Sequence, residues 1–172
     1  DLYYKKVFLD ALDLMDIVME FDYININKIG TMGYSQGGGI ALALAALNTN
    51  VNKVFAVYPF LSDYKRWWDM DTGAAYEEIK DYFRQRDPQH ERENEFFNNL
   101  GYIDIQNMAH WIKADVVMTT GLMDKVCPPS TQFAVYNKLL CRKKHLIFPE
   151  YGHEDMLNGL QDENLKWAME LL

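Results

Sequence analysis

Ser35 stands inside Gly33-Tyr34-Ser35-Gln36-Gly37, a G-x-S-x-G string. A serine hydroxyl becomes a nucleophile once a base takes its proton and an acid holds that base in one tautomer. Glycines on both sides let such a serine occupy a tight strand-to-helix turn, where a side chain on either neighbour would collide with backbone. The helix that follows aims unpaired N–H groups and a partial positive charge at a developing oxyanion, with the backbone N–H of Gln36 as one donor. At turns of this kind the partners follow in the order serine, acid, histidine, each on a loop after a later strand. Asp124 ends Gly121-Leu122-Met123-Asp124, 89 residues after Ser35, and His153 lies in Tyr151-Gly152-His153-Glu154, 29 residues after Asp124. Asp63, after the preceding strand, is the rival acid. His90 lies in a charged run and reads as solvated, His110 adjoins Trp111, and His145 begins a strand rather than following one. Cys127 has no elbow and no neighbouring base of its own, so it reads as a buried, inert thiol.

The elements needed to position these residues are legible. Val7, Ala11, Leu14, Met15 and Val18 form one apolar stripe and predict a helix over 4–20. The apolar run 28–34 predicts a buried strand, and the Ala- and Leu-rich segment 36–47 predicts a helix buried on most sides. A strand is expected over 54–58, ended by Pro59. Residues 58–111 then carry 12 of the 24 aromatic residues among dense charge. They read as a helical insertion, with helices around 77–84 and 91–100, packed on the sheet or roofing a site. Strands over 115–120 and 145–148 alternate with helices over 131–140 and 162–172; Pro128-Pro129-Ser130 opens the first of these helices, with Ser or Thr able to cap. The alternation predicts an α/β protein with a mostly parallel sheet and helices on both faces.

Composition narrows the function classes. The 172 residues suit one domain, and a formal charge of −8 without a Lys/Arg stripe argues against nucleic acid. The longest apolar run, residues 40–47, is too short to cross a membrane, for which about 20 residues are needed. Cys127 and Cys141 form neither a disulfide framework nor a zinc pattern, which suits free thiols in a reducing compartment. No signal-peptide pattern opens the sequence at Asp1, a weak sign in a chain that starts with Asp rather than Met.

Three strings together resemble the acetyl xylan esterases of carbohydrate esterase family seven, also called cephalosporin C deacetylases. They are Gly33-Tyr34-Ser35-Gln36-Gly37-Gly38-Gly39, Gly121 through Thr131 (GLMDKVCPPST), and Gly152-His153-Glu154. Tyr58-Pro59-Phe60-Leu61, Tyr76-Glu77-Glu78-Ile79 and Asp81-Tyr82-Phe83-Arg84 extend the likeness, which runs from about Tyr3 to the end of the chain. The resemblance implies an α/β-hydrolase fold, a Ser35–Asp124–His153 triad, and removal of acetyl groups from small substrates such as acetylated xylo-oligosaccharides or cephalosporin C. It implies no metal or organic cofactor, a homo-oligomer (a hexamer in the family), a cytoplasmic location, and substrate contacts at Tyr34, Pro59 and Ala75. Ala75 stands where the family usually has proline. The family's N-terminal half, with the first strands and a tyrosine that supplies a second oxyanion contact, is missing, so 1–172 reads as a partial domain.

Two other readings are open on these residues. One is a peptidase or acylaminoacyl hydrolase of the same fold. The other is a non-catalytic fragment that needs a complementary N-terminal half.

Overall fold

The computed structural model describes residues 2–155 together with Asp162 and Lys166. Four strands, β1 (Ile29–Tyr34), β2 (Val51–Val57), β3 (Asp115–Gly121) and β4 (Lys143–Phe148), form one sheet in the order β1-β2-β3-β4. All three pairings are parallel, as the alternation predicts. The register runs Tyr34 to Val57, Val57 to Thr119 and Thr119 to Leu146, so the carboxyl ends lie nearly flush. The loops leaving β1, β3 and β4 therefore open on the same edge, where open parallel sheets place their ligands.

Helix α1 (Tyr3–Met19) packs on α2 (Gln36–Leu47), which covers β1 and β2. The stripe on α1 is narrower than its sequence suggests. Phe8 and Met15 are its buried residues, while Leu14 is exposed. The seam therefore follows i, i+7, and Val7, Ala11 and Val18 only flank it. In α2, Gly38, Gly39, Ala41, Leu42, Ala43 and Ala45 are buried, as a segment without polar side chains after Gln36 requires. Val54 and Ala56 of β2 and Val116 and Met118 of β3 join the same cluster as α1, α2 and α7 (Pro129–Lys138). The opposite face carries a smaller group of Phe55, Val57, Tyr58 and Val117.

The insertion contains more helix than predicted: α3 (Tyr64–Met70), α4 (Ala74–Arg86), α5 (Glu93–Leu100), α6 (Ile105–Met108) and a 3₁₀ turn over Ala109–Trp111. Trp68, Phe83, Phe96 and Phe97 form its aromatic centre. His90 is not simply solvated there. Its ring stacks on Phe83 at 4.5 Å, and Nδ1 meets Glu93 at 3.1 Å. Buried Asp104 accepts from the backbone N–H groups of Asp63, Tyr64 and Gln106, tying α6 to the start of α3. Burial raises its carboxyl above the usual range, against the opposing pull of those hydrogen bonds.

Helix α7 starts two residues earlier than expected, with Pro129 in its first turn. Ser130 does not cap it; its hydroxyl contacts Met70 Sδ at 3.4 Å. The helix predicted over 162–172 lies largely outside the described residues.

Candidate active site

Ser35 occupies the turn between β1 and α2 with φ 53° and ψ −117°, a conformation rarely taken by residues other than glycine. Backbone bonds hold it on both sides. Its N–H donates to Val57 O at 2.8 Å, and its carbonyl accepts from Gly39 N at 3.1 Å and Phe60 N at 3.0 Å. The two glycines of the motif are not equivalent. A Cβ on Gly33 would lie 2.1 Å from the Gly37 backbone, whereas a Cβ on Gly37 would meet nothing within 4 Å. The expectation that both exclude a side chain holds for Gly33 only, because Gly37 faces open space.

Asp124 follows β3, and its side chain is fully buried. Oδ1 accepts from the backbone N–H groups of Val126 at 2.8 Å and Cys127 at 2.7 Å. Oδ2 lies 2.8 Å from His153 Nδ1, and His153 Nε2 lies 2.9 Å from Ser35 Oγ. The loops carrying acid and histidine are sewn together by Leu122 N to Phe148 O and Met123 N to Tyr151 O. Gly121 permits that approach, since a Cβ there would come within 2.4 Å of Tyr151 O. The structure thus brings together Ser35, Asp124 and His153. The rival Asp63 is engaged elsewhere, by Arg66 Nε at 2.8 Å.

The Gln36 N–H is the first of α2, and helix geometry leaves it without an intrahelical partner. Its side chain donates to Tyr4 OH at 3.3 Å. Tyr34 sets its ring edge-on to His153, with centroids 5.2 Å apart. Pro59 is buried, close behind Gly38. Ala75 is also buried, and it lines a cavity of 580 Å³ with Tyr4, Phe60, Tyr64 and Ile79; none of Ser35, Asp124 and His153 lines that cavity.

Two neighbours were not singled out as site residues. Tyr58, fully buried with φ 45°, packs its ring 5.9 Å from His153. Burial, then surrounding negative charge, pushes both Tyr34 and Tyr58 up to about 12, so both remain neutral phenols. Cys127 Sγ lies 3.8 Å from Ser35 Oγ. Burial first, and then the Asp124 charge, pushes this thiol up to about 12, so it stays protonated. The only sequence cue to Cys127 was its closeness to Asp124, and Tyr58 offered only its place at the end of a strand.

Asp124, Cys127 and His153 also make a grouping of metal-type donors within 4.8 Å. The Asp124 oxygens are occupied by hydrogen bonds, His153 bonds through both ring nitrogens, and the thiol holds its proton, so these donors are engaged with one another and with backbone rather than open to an ion.

Residues 1–171 match the family described as acetyl xylan esterase (AXE1). The acetyl esterase Axe7A of Xylanibacter ruminicola is 29% identical over 153 residues, which is 88% of this chain and 33% of the relative. Acetyl xylan esterase 1 from a Thermoanaerobacterium species has a solved structure that is 52% identical, with a TM-score of 0.94, over 99% of this chain and 54% of that one. The solved acetyl xylan esterase of a Paenibacillus species is 38% identical, with a TM-score of 0.93, over 98% and 53%. The chain therefore spans about half the length of these two solved relatives and a third of the curated one. The parallel sheet with its strand-to-helix elbow is an α/β-hydrolase fold, and the chain belongs to the acetyl xylan esterase family.

Proposed function

We propose that the protein is a serine carboxylic ester hydrolase that removes acetyl groups from small acetylated carbohydrates. The observation that carries this reading is the line of contacts from Ser35 Oγ through His153 to Asp124, at 2.9 and 2.8 Å. His153 Nε2 takes the Ser35 proton as Oγ attacks the acetyl carbonyl. The tetrahedral oxyanion is met by the Gln36 N–H at the head of α2. The carbonyl then re-forms, and the alcohol leaves with the proton from His153. Water, activated at the same nitrogen, releases acetate and restores the hydroxyl. Asp124 keeps the Nδ1–H tautomer and stabilises the imidazolium between the steps.

The similarity to an acetyl esterase and to two acetyl xylan esterases supports acetyl esters as substrates. Acetylated xylo-oligosaccharides and cephalosporin C are the proposed candidates, through the family resemblance. Tyr34 beside His153 is a proposed substrate contact. A cytoplasmic homo-oligomer completes the reading: free Cys127 and Cys141 suit a reducing compartment, and the family likeness suggests assembly.

Ser35→Ala is expected to abolish release of p-nitrophenol from its acetate ester, by at least about a thousandfold in kcat. Unchanged turnover would overturn the assignment. Turnover of an aminoacyl amide in preference to the acetyl ester would favour a peptidase instead. Stoichiometric labelling of Ser35 by a fluorophosphonate in the 172-residue chain is the expected result if these residues suffice for nucleophile activation, and absence of label would favour the non-catalytic fragment.

A further inference from the structure

We propose that Gln132 is a positioning residue for the Asp124–His153 pair, and that Thr120 and His145 fix the direction in which its amide acts. The proposal rests on the acyl-transfer reading above.

Gln132 lies on α7 with no exposed surface. Its Nε2 lies 2.6 Å from Cys127 O and 3.4 Å from Asp124 Oδ2, and its Oε1 lies 2.8 Å from Thr120 Oγ1. A backbone carbonyl can only accept, and an ionised carboxylate can only accept, so the end of the amide that faces both must be the NH₂. Its two hydrogens match the two acceptors. A flipped amide would set three oxygens together with no proton between them, inside a buried pocket where unpaired polar groups are costly.

The other end is fixed as well. Thr120, fully buried, has a single hydroxyl proton, and Gln132 Oε1 takes it. The 2.8 Å contact of Thr120 Oγ1 with His145 Nε2 must then have His145 as the donor. His145 is packed against the rings of Tyr136 and Phe133. Burial first, and then Lys143, pushes it down to about 4, so it is a neutral imidazole carrying its proton on Nε2.

Every hydrogen in the run His145 to Thr120 to Gln132 to Asp124 therefore points toward the carboxylate. The His153 Nδ1 proton reaches the same oxygen, Oδ2, across an N–O distance of 2.8 Å. With Val126 and Cys127 holding Oδ1, Asp124 has no free rotation about its carboxyl axis. Gln132 touches neither substrate nor Ser35; it acts through Asp124 by keeping Oδ2 in line with His153 Nδ1.

The test compares Gln132→Glu, Gln132→Met and Thr120→Val with the parent protein. Gln132→Glu keeps the shape and leaves at most one proton for two acceptors, Cys127 O and Asp124 Oδ2, because a buried carboxyl beside a carboxylate is held protonated. The expected result is a fall of about tenfold in kcat for p-nitrophenyl acetate, with KM changed by less than about twofold. Thr120→Val should lose about threefold, and adding it to Gln132→Glu should cost nothing further, because the run is already broken. The far-downfield proton NMR signal of His153 Nδ1–H should move in Gln132→Glu. A folded Gln132→Glu protein with parental kcat and an unmoved signal would overturn the proposal. If that variant does not fold, Gln132→Met and Thr120→Val carry the same two readouts. A parent protein without Ser35-dependent turnover would overturn the acyl-transfer reading instead, and the NMR signal would still decide whether Gln132 positions the pair.

Discussion

The Cys127 thiol sits within 3.8 Å of the Ser35 hydroxyl, yet burial pushes it up to about 12. At pH 8 only on the order of one thiol in ten thousand is then ionised. Iodoacetamide at that pH is expected to leave Cys127 unmodified in the folded protein and to alkylate it after denaturation, as read by peptide mass mapping. Rapid alkylation of the folded protein would contradict the buried, protonated state. Ser35, Asp124 and His153 were legible in the sequence because each ends a strand-plus-turn pattern and their order is fixed by the fold. Gln132 and Tyr58 were not, because their relation to the site is tertiary. Gln132 sits within an ordinary helical pattern, and only the meeting of α7 with the loop after β3 turns its amide toward Asp124.

At the scale of elements, the elbow distributes its demands unevenly. Gly33→Ala would drive a Cβ into the Gly37 backbone at 2.1 Å, and backbone cannot move aside as a flexible side chain can. A loss of about 2–4 kcal/mol in urea unfolding, together with loss of esterase activity, is expected. Gly37→Ala enters open space at the start of α2, where alanine favours the helix, and its stability should stay within about 1 kcal/mol of the parent. Equal effects of the two substitutions would contradict the asymmetry. The sequence pattern treats the glycines alike because it records residue types, not the direction in which a side chain would project. The same gap explains α1, where Leu14 fits the helical period but Phe8 and Met15 meet α2. It explains α3 also: Asp63, in a left-handed conformation, and the Asp104 carboxylate start that helix, and neither signal is periodic.

Across the whole molecule, the order of elements around the four strands was legible, since each strand has an apolar stretch beside a turn. Strand β1, expected to be buried, instead alternates half-buried and exposed residues, with Met32 exposed, because it is an outer strand among the described residues. The acid response belongs to this scale. In the folded protein His145 takes up a proton only near pH 4, whereas in the unfolded chain it does so near 6.5. Above 6.5 neither state is charged at this residue and its contribution to stability is complete. Between 6.5 and 4 the unfolded state binds the extra proton, so stability falls as the pH falls. The ring is only half-buried, and after discounting for solvent screening the loss is about 1–2 kcal/mol. His145→Gln, which keeps a donor for Thr120, should flatten urea midpoints measured between pH 7 and pH 4.5. An unchanged slope would remove His145 from the acid response.

The strand order has one more consequence. Among the described residues β1 and β4 are the outer strands, so Ser35 and His153 each follow an edge strand, and Asp124 follows an interior one. Neighbouring strands lie about 4.8 Å apart, so some 14 Å of sheet separates β1 from β4, while Ser35 and His153 meet at 2.9 Å. The loops close that distance, and the sheet sets it. The Ser35–His153 contact thus depends on the width of the sheet, and β2, which carries neither Ser35, Asp124 nor His153, becomes the spacer that sets this width.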